Sequence, residues 1–220
     1  MHTMLRKKLL HSPGLYLVLD RQFLEGMDIV SIVTRVLAAG VDMIQLRDKE
    51  STDKEFFETG RKIKNILERK GVLFIVNDRV DLAASLDTDG VHIGQEDMPV
   101  ENARKILGRE KVIGLSTHSL TEMREAQDRD VDYISVGPVF PTETKPDYTP
   151  VGVGLVSSAA RESQKPFVAI GGINRENIKD IVAAGARRVA VVRAVLSAKD
   201  PFSAAKNLIE AVNPVRNITA

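Results

Sequence analysis

Short runs of aliphatic and β-branched residues return along the chain roughly every 20 to 30 residues, with polar, helix-like stretches between them. There are eight such runs, at 15–20, 42–47, 73–77, 90–94, 112–117, 133–137, 167–171 and 188–192. Most are unbroken apolar strings rather than alternations, as expected of strands buried on both faces. The segments between them carry helix signals. Asp28 precedes IVSIVTRVLAAG, which predicts a helix capped by Asp28 and closed by Gly40. Ser51 or Thr52 begins a charged helix running to about Lys70, with Gly71 after it. Asn174 precedes RENIKDIVAAG, predicting a helix closed by Gly185. Two helices thus end in AAG shortly before a strand, a faint repeat of one strand–helix unit. The alternation predicts an α/β fold, a (β/α)8 TIM barrel, with one catalytic domain over 13–220 and an N-terminal extension at 1–12. A doubly wound open sheet is the alternative. Its first strand would usually run into a glycine-rich turn, whereas here that strand ends LVLDRQ.

Composition narrows the function classes. Lysine and arginine number 31 against 30 aspartate and glutamate, a net charge of +1, which argues against a broad nucleic-acid footprint. With no cysteine, disulfides, thiolate chemistry and cysteine-held metals are excluded. A metal here would be a hard cation on oxygens or one held by histidines. The four histidines, His2, His11, His92 and His118, show no HExxH-like spacing. Residues 1–12 are basic, but Arg6, Lys7 and Lys8 break their apolar pieces, and the next run stops at Asp20. Neither is long enough for a signal-peptide core or a membrane span. The expectation is a cytoplasmic protein acting on small molecules, without nucleic-acid or membrane partners; a homo-oligomer is compatible with the sequence.

In such a barrel the loops after the strands carry the site. The second strand ends Gln45-Leu46-Arg47-Asp48-Lys49, and alternation puts Gln45 and Arg47 on one face with Lys49 following in the loop. An arginine fork and a lysine point charge two residues apart suit a phosphate or diphosphate; the bland reading is a solvated charge run. The third strand ends Asn77-Asp78-Arg79, by itself a turn or helix cap, and the fourth leads into Gly94-Gln95-Glu96-Asp97. Asp78 and Asp97 on adjacent loops make a candidate Mg²⁺ site, since this ion takes one or two carboxylates, waters and phosphate oxygens. The fifth strand leads to Ser116-Thr117-His118, where His118 is either a general base or a polar rim residue. After the sixth comes a long loop, GPVFPTETKPD, whose Thr142, Thr144 and Lys145 suit a lid better than an ordinary connector. Gly171-Gly172 before a helix, beside Val192-Arg193 at the end of the eighth strand, has the form of a phosphate cradle built from backbone N–H groups and a helix N-terminus.

Taken together, QLRDKE, FIVNDRVDLA, GVHIGQEDMP, IGLSTHS, YISVGPVFPTETK and VAIGGI resemble the thiamine phosphate synthase family, in the family's order and over residues 15 to about 195. The resemblance implies a transferase that condenses an aminopyrimidine diphosphate with a thiazole phosphate, or its carboxylated form, giving thiamine phosphate and pyrophosphate with Mg²⁺ as cofactor. It implies that Gln45 contacts the aminopyrimidine and Ser116 makes a further contact to that substrate. Arg47, Lys49, Asn77 and Lys145 would hold the diphosphate, and Asp78 and Asp97 the magnesium. Thr142 and Thr144, with backbone at Gly172, Val192 and Arg193, would hold the thiazole phosphate. Arg193 departs from the serine of several relatives. The implied reaction is dissociative: pyrophosphate leaves, the ring stabilises a methylene cation, and the thiazole nitrogen attacks it. Arg47, Lys49 and Lys145 would then stabilise a leaving group, and no nucleophile is required. A thiazole tautomerase-like barrel and a non-catalytic phosphate-ligand-binding barrel are the alternatives; neither needs the diphosphate clamp.

Overall fold

The computed structural model describes residues 7–24, 26–68, 70–144 and 148–213. The strands Gly14–Asp20 (β1), Met43–Arg47 (β2), Leu73–Asn77 (β3), Gly90–Ile93 (β4), Val112–Thr117 (β5), Tyr133–Val136 (β6), Phe167–Ile170 (β7) and Arg188–Val191 (β8) run parallel and close in order into a barrel. β1 completes the ring by pairing with both β2 and β8. Between the strands lie α1 (Ile29–Ala39), α2 (Asp53–Leu67), α3 (Val80–Ser85), α4 (Val100–Leu107), α5 (Leu120–Glu125), α6 (Gly152–Glu162) and α7 (Ile178–Ala183). After β8 come a single turn, α8 (Arg193–Leu196), and α9 (Pro201–Val212), which packs against α1 and closes the outer ring. The predicted (β/α)8 barrel is therefore the fold.

The apolar strings of the sequence divide by alternation into two cores. Leu15, Leu17, Leu19, Ile44, Leu46, Phe74 and Val76 face outward into a layer shared with the helices. Tyr16, Met43, Ile75, Val112, Tyr133, Val168 and Ala190 point inward and fill the lumen. Neither face of these strands meets water, so no polar alternation marks them.

The helix signals act as physical stops and starts. The Asp28 carboxylate accepts from Val30 N and Ser31 N at 3.1 and 3.2 Å, while Gly40, at φ 101°, ends α1. Thr52 and Glu55 cap α2 reciprocally. One expectation is corrected. The helix anticipated directly after Asn174 begins only at Ile178, because Asn174 Oδ1 accepts from Glu176 N and Asn177 N and holds a turn in its place.

The barrel floor is sealed by charge as well as by hydrocarbon. Arg188, at the foot of β8, is 1% exposed and meets both Asp42 oxygens at 2.6 and 3.1 Å. It also donates to the carbonyls of Leu9 and Ser12, at 2.5 and 3.1 Å. Leu10, between them, is buried in the lumen core. Residues 8–12 thus form the base of the barrel. Removing Asp42 would leave a cation in a nearly dry site. Asp42→Ala is expected to cost about 3–5 kcal/mol, read from the midpoint of denaturant unfolding.

Candidate active site

Inward-pointing residues at the C-terminal ends of the strands are polar, and above the lumen core they line a cavity of about 770 Å³. Gln45, Arg47, Asn77, Ser116, Thr142, Thr144, Gly172, Val192 and Arg193, all named from the sequence, line it. Lys49, Asp78 and Asp97 are not among the lining residues, and Lys145 lies outside the described residues.

The cationic side is built on β1 and β2. Asp20 and Arg47 are paired in register across the two strands, and their side chains form a close ion pair, 3% and 15% exposed. The almost fully buried carboxylate anchors the guanidinium and limits its rotamers. The sequence pattern does not single out Asp20; a carboxylate ending β1 beside an arginine ending β2 is the available signal.

The acidic side lies at the tips of β3 and β4. Asp78 has φ 60° and its N–H donates to the His92 carbonyl at 2.8 Å, fixing the side chain at the rim. Asp97 Oδ2 accepts from Gly94 N at 2.6 Å. The two carboxyls lie side by side, within hydrogen-bonding reach. Burial, first, and then the neighbouring Asp97 push the Asp78 pKa above the usual carboxylate range. Lys49 Nζ, 3.2 Å from Asp78 Oδ2, opposes the shift from an exposed position.

The third side is the segment that follows β6, described over 137–144 and 148–151, and the glycine pair. Val139 N and Phe140 N donate to the carbonyls of Ile170 and Gly171 at 2.9 and 3.0 Å, so the loop begins as an extension of the sheet. Gly172 has φ 64°, and a side chain there would run into Phe140 and the Pro141 carbonyl. Thr142 Oγ1 accepts from Thr144 N at 3.3 Å. Glu143 reaches across to Arg193 at 2.6 Å, and that guanidinium also sits over the Phe23 ring. The Arg193 side chain therefore ties the β8 end to the long loop and to the segment after β1. His118 donates from Nδ1 to the Gly137 carbonyl at 2.5 Å, with its ring against Tyr148, and so supports this loop.

Below these groups Tyr16 and His92 also line the cavity, and the sequence pattern gives neither a role. Their inward direction follows from strand alternation. Their polar partnership does not, because it joins strands far apart in sequence.

A closed parallel barrel with a glycine pair at β7, a cavity at its C-terminal mouth and clustered cations and carboxylates is of the phosphate-handling (β/α)8 class. Residues 15–195 match the model of the thiamine monophosphate synthase family. A thiamine-phosphate synthase from Shouchella clausii (strain KSM-K16) is 41% identical over 90% of this chain and 95% of its own length. One from Synechococcus sp. (strain CC9311) is 47% identical over 81% of this chain, which spans half of that relative's length. A solved thiamine phosphate pyrophosphorylase from Pyrococcus furiosus superposes with a TM-score of 0.85 at 36% identity, covering 96% of this chain and 98% of that one. A 3-hexulose-6-phosphate synthase, at 18% identity and a TM-score of 0.65, shares the fold. The chain belongs to the thiamine monophosphate synthase family.

The carboxylate pair makes a stability prediction. Because the Asp78 pKa is raised on folding, its contribution is fully present below the unfolded value of about 4 and is lost as pH rises through the folded value. Asp78→Asn, neutral throughout and tolerant of positive φ, removes that loss. In metal-free buffer its thermal midpoint at pH 7 should exceed that of the wild type. The difference should shrink below pH 4.

Proposed function

We propose that this chain is a thiamine-phosphate synthase, joining an aminopyrimidine diphosphate to a thiazole phosphate with release of pyrophosphate. The observation that carries the reading is a set of polar groups on three consecutive strand ends: Arg47 and Asn77 line the cavity, while Lys49, paired with Asp78 beside Asp97, stands on the segments that follow β2, β3 and β4.

The donor set fits a hard divalent cation. Two carboxyls held together at the cost of a raised pKa on one of them suit an ion that neutralises both. Among the described residues no third His, Asp or Glu joins them, which suits Mg²⁺, since it completes its shell with water and phosphate oxygens. Asp78 and Asp97 would hold it, and when bound it would neutralise diphosphate oxygens as a Lewis acid.

The chain's own residues supply the rest. Arg47, held by Asp20, offers a fork of N–H donors to the diphosphate before substrate arrives, so little reorganisation accompanies charge build-up on the leaving oxygens. Lys49 adds a movable charge, and Asn77 a neutral donor on the same wall. Lys145 completes the clamp on the family resemblance alone. Gln45 and Ser116 take the pyrimidine ring. Thr142, Thr144 and the backbone at Gly172, Val192 and Arg193 take the thiazole phosphate, and the Arg193 side chain is paired with Glu143 beside them. No general base is required, consistent with His118 being committed to the Gly137 carbonyl.

The direct test is to incubate the protein with both substrates and Mg²⁺ and assay pyrophosphate and thiamine phosphate. Release of both, abolished by chelator, is expected; binding without turnover would refute the reading. Arg47→Met and Asp78→Asn should each lower kcat at least about tenfold, roughly 1.4 kcal/mol of barrier. Lys145→Ala should do the same. Near-normal rates in Arg47→Met and Asp78→Asn would show that the clamp is misplaced.

A further inference from the structure

Beneath the cavity runs a row of hydrogen bonds that the leaving-group chemistry does not use. Gln45 Nε2 donates to Tyr16 Oη at 2.6 Å, and the Tyr16 and Tyr133 hydroxyls lie 3.1 Å apart. Tyr133 Oη is 2.9 Å from His92 Nδ1, and His92 Nε2 is 3.0 Å from Ser116 Oγ. All five residues are more than nine-tenths buried. Four of them line the cavity, and Tyr133 stands behind. Gly114 makes room for the row, since a Cβ there would overlap the Tyr133 ring and the His92 imidazole.

A row in which each hydroxyl has one proton to give has a direction. The Gln45 amide nitrogen can only donate, so Tyr16 accepts, and among the described residues the Tyr16 proton has only Tyr133 to go to. Tyr133 then donates to His92 Nδ1. That direction places the ring proton on Nε2, facing Ser116, while Ser135 Oγ shares this nitrogen at 3.3 Å. At the two ends, Gln45 Oε1 and the Ser116 hydroxyl proton have no partner among the described residues, and both side chains line the cavity. The ends have opposite polarity, an acceptor at Gln45 and a donor at Ser116. Burial pushes both phenol pKa values up, which keeps the protons of the row in place.

We infer that Tyr16, Tyr133 and His92 are positioning residues that fix the hydrogen-bond polarity of Gln45 and Ser116, and so make the cavity select an amino-substituted nitrogen ring over its oxo counterpart. The inference rests on the proposed function and names how that site recognises its ring. An aminopyrimidine presents a donor at its amino group and acceptors at its ring nitrogens. The oxo ring presents an acceptor and an N–H in those places. To welcome it, the whole row would have to turn over together, or a buried polar group would go unpaired.

The test uses the full chain with thiazole phosphate, Mg²⁺ and either the aminopyrimidine diphosphate or its 4-oxo analogue. The wild type should prefer the amino ring by at least about a hundredfold in kcat/KM. Tyr133→Phe removes one oxygen from the middle of the row and leaves Gln45 and Ser116 in place. It should lower that preference at least tenfold and raise KM for the pyrimidine substrate, with KM for thiazole phosphate unchanged. Tyr16→Phe, which cuts the row beside Gln45, should do the same. A preference retained in both variants overturns the inference, as does an equal rise in both KM values accompanied by a fall in Tm, the mark of a merely structural role. A wild type that turns over neither ring would refute the proposed reaction instead; the inference is then judged by whether the protein binds the amino ring alcohol more tightly than the oxo one, and equal binding overturns it.

Discussion

Closure of an eight-stranded ring decides which side chains of this chain can meet. Strand alternation leaves every second residue facing a lumen only wide enough for side chains, and a residue near the start of a strand is stacked low while one near its end is stacked high. In this protein the low layer is apolar and the high layer is not. Tyr16, Gln45 and Arg47 come from two adjacent strands and all line the cavity, yet Tyr16 is also packed into the lumen core. Sequence-distant groups such as His92 and Tyr133 become neighbours for the same reason.

The ring also separates the work of the two ends. At the floor, Arg188 and Asp42 are a buried pair whose partners are backbone carbonyls. At the mouth, like charges are brought together: Asp78 stands against Asp97, and Lys49 answers only from solvent. The floor pairs its opposite charges internally, Arg188 Nε excepted, while the mouth is left with electrostatic tension that an incoming ion can relieve. Stability and recognition are thereby placed at opposite poles, so a residue's height in the barrel indicates which of the two it serves.

Much of this was legible in the sequence because it is local. The strand runs are continuous strings, the caps of α1 and α2 are encoded within four residues, and alternation aims Gln45, Arg47, Asn77 and Ser116 into the cavity. What escaped is non-local. Asp20 reads as the end of a strand until β1 is laid beside β2, and His92 reads as a stray histidine until β4 faces β6 across the lumen. Asn174 misled for a local reason: its side chain satisfies backbone donors equally well in a turn, so the helix waits until Ile178. The Arg193–Glu143 pair depends on where a long loop settles, which no spacing reveals.

The plug formed by residues 8–12 has a consequence for the phenols above it. Leu10 packs in the same cluster as Tyr16 and Tyr133, and Arg188 pins the backbone on either side of it. Among the described residues the lumen below the phenols is filled, so the cavity, which Tyr16 lines, is the route by which their hydroxyl protons trade with bulk solvent. Whatever occupies the mouth then also governs how fast those protons exchange.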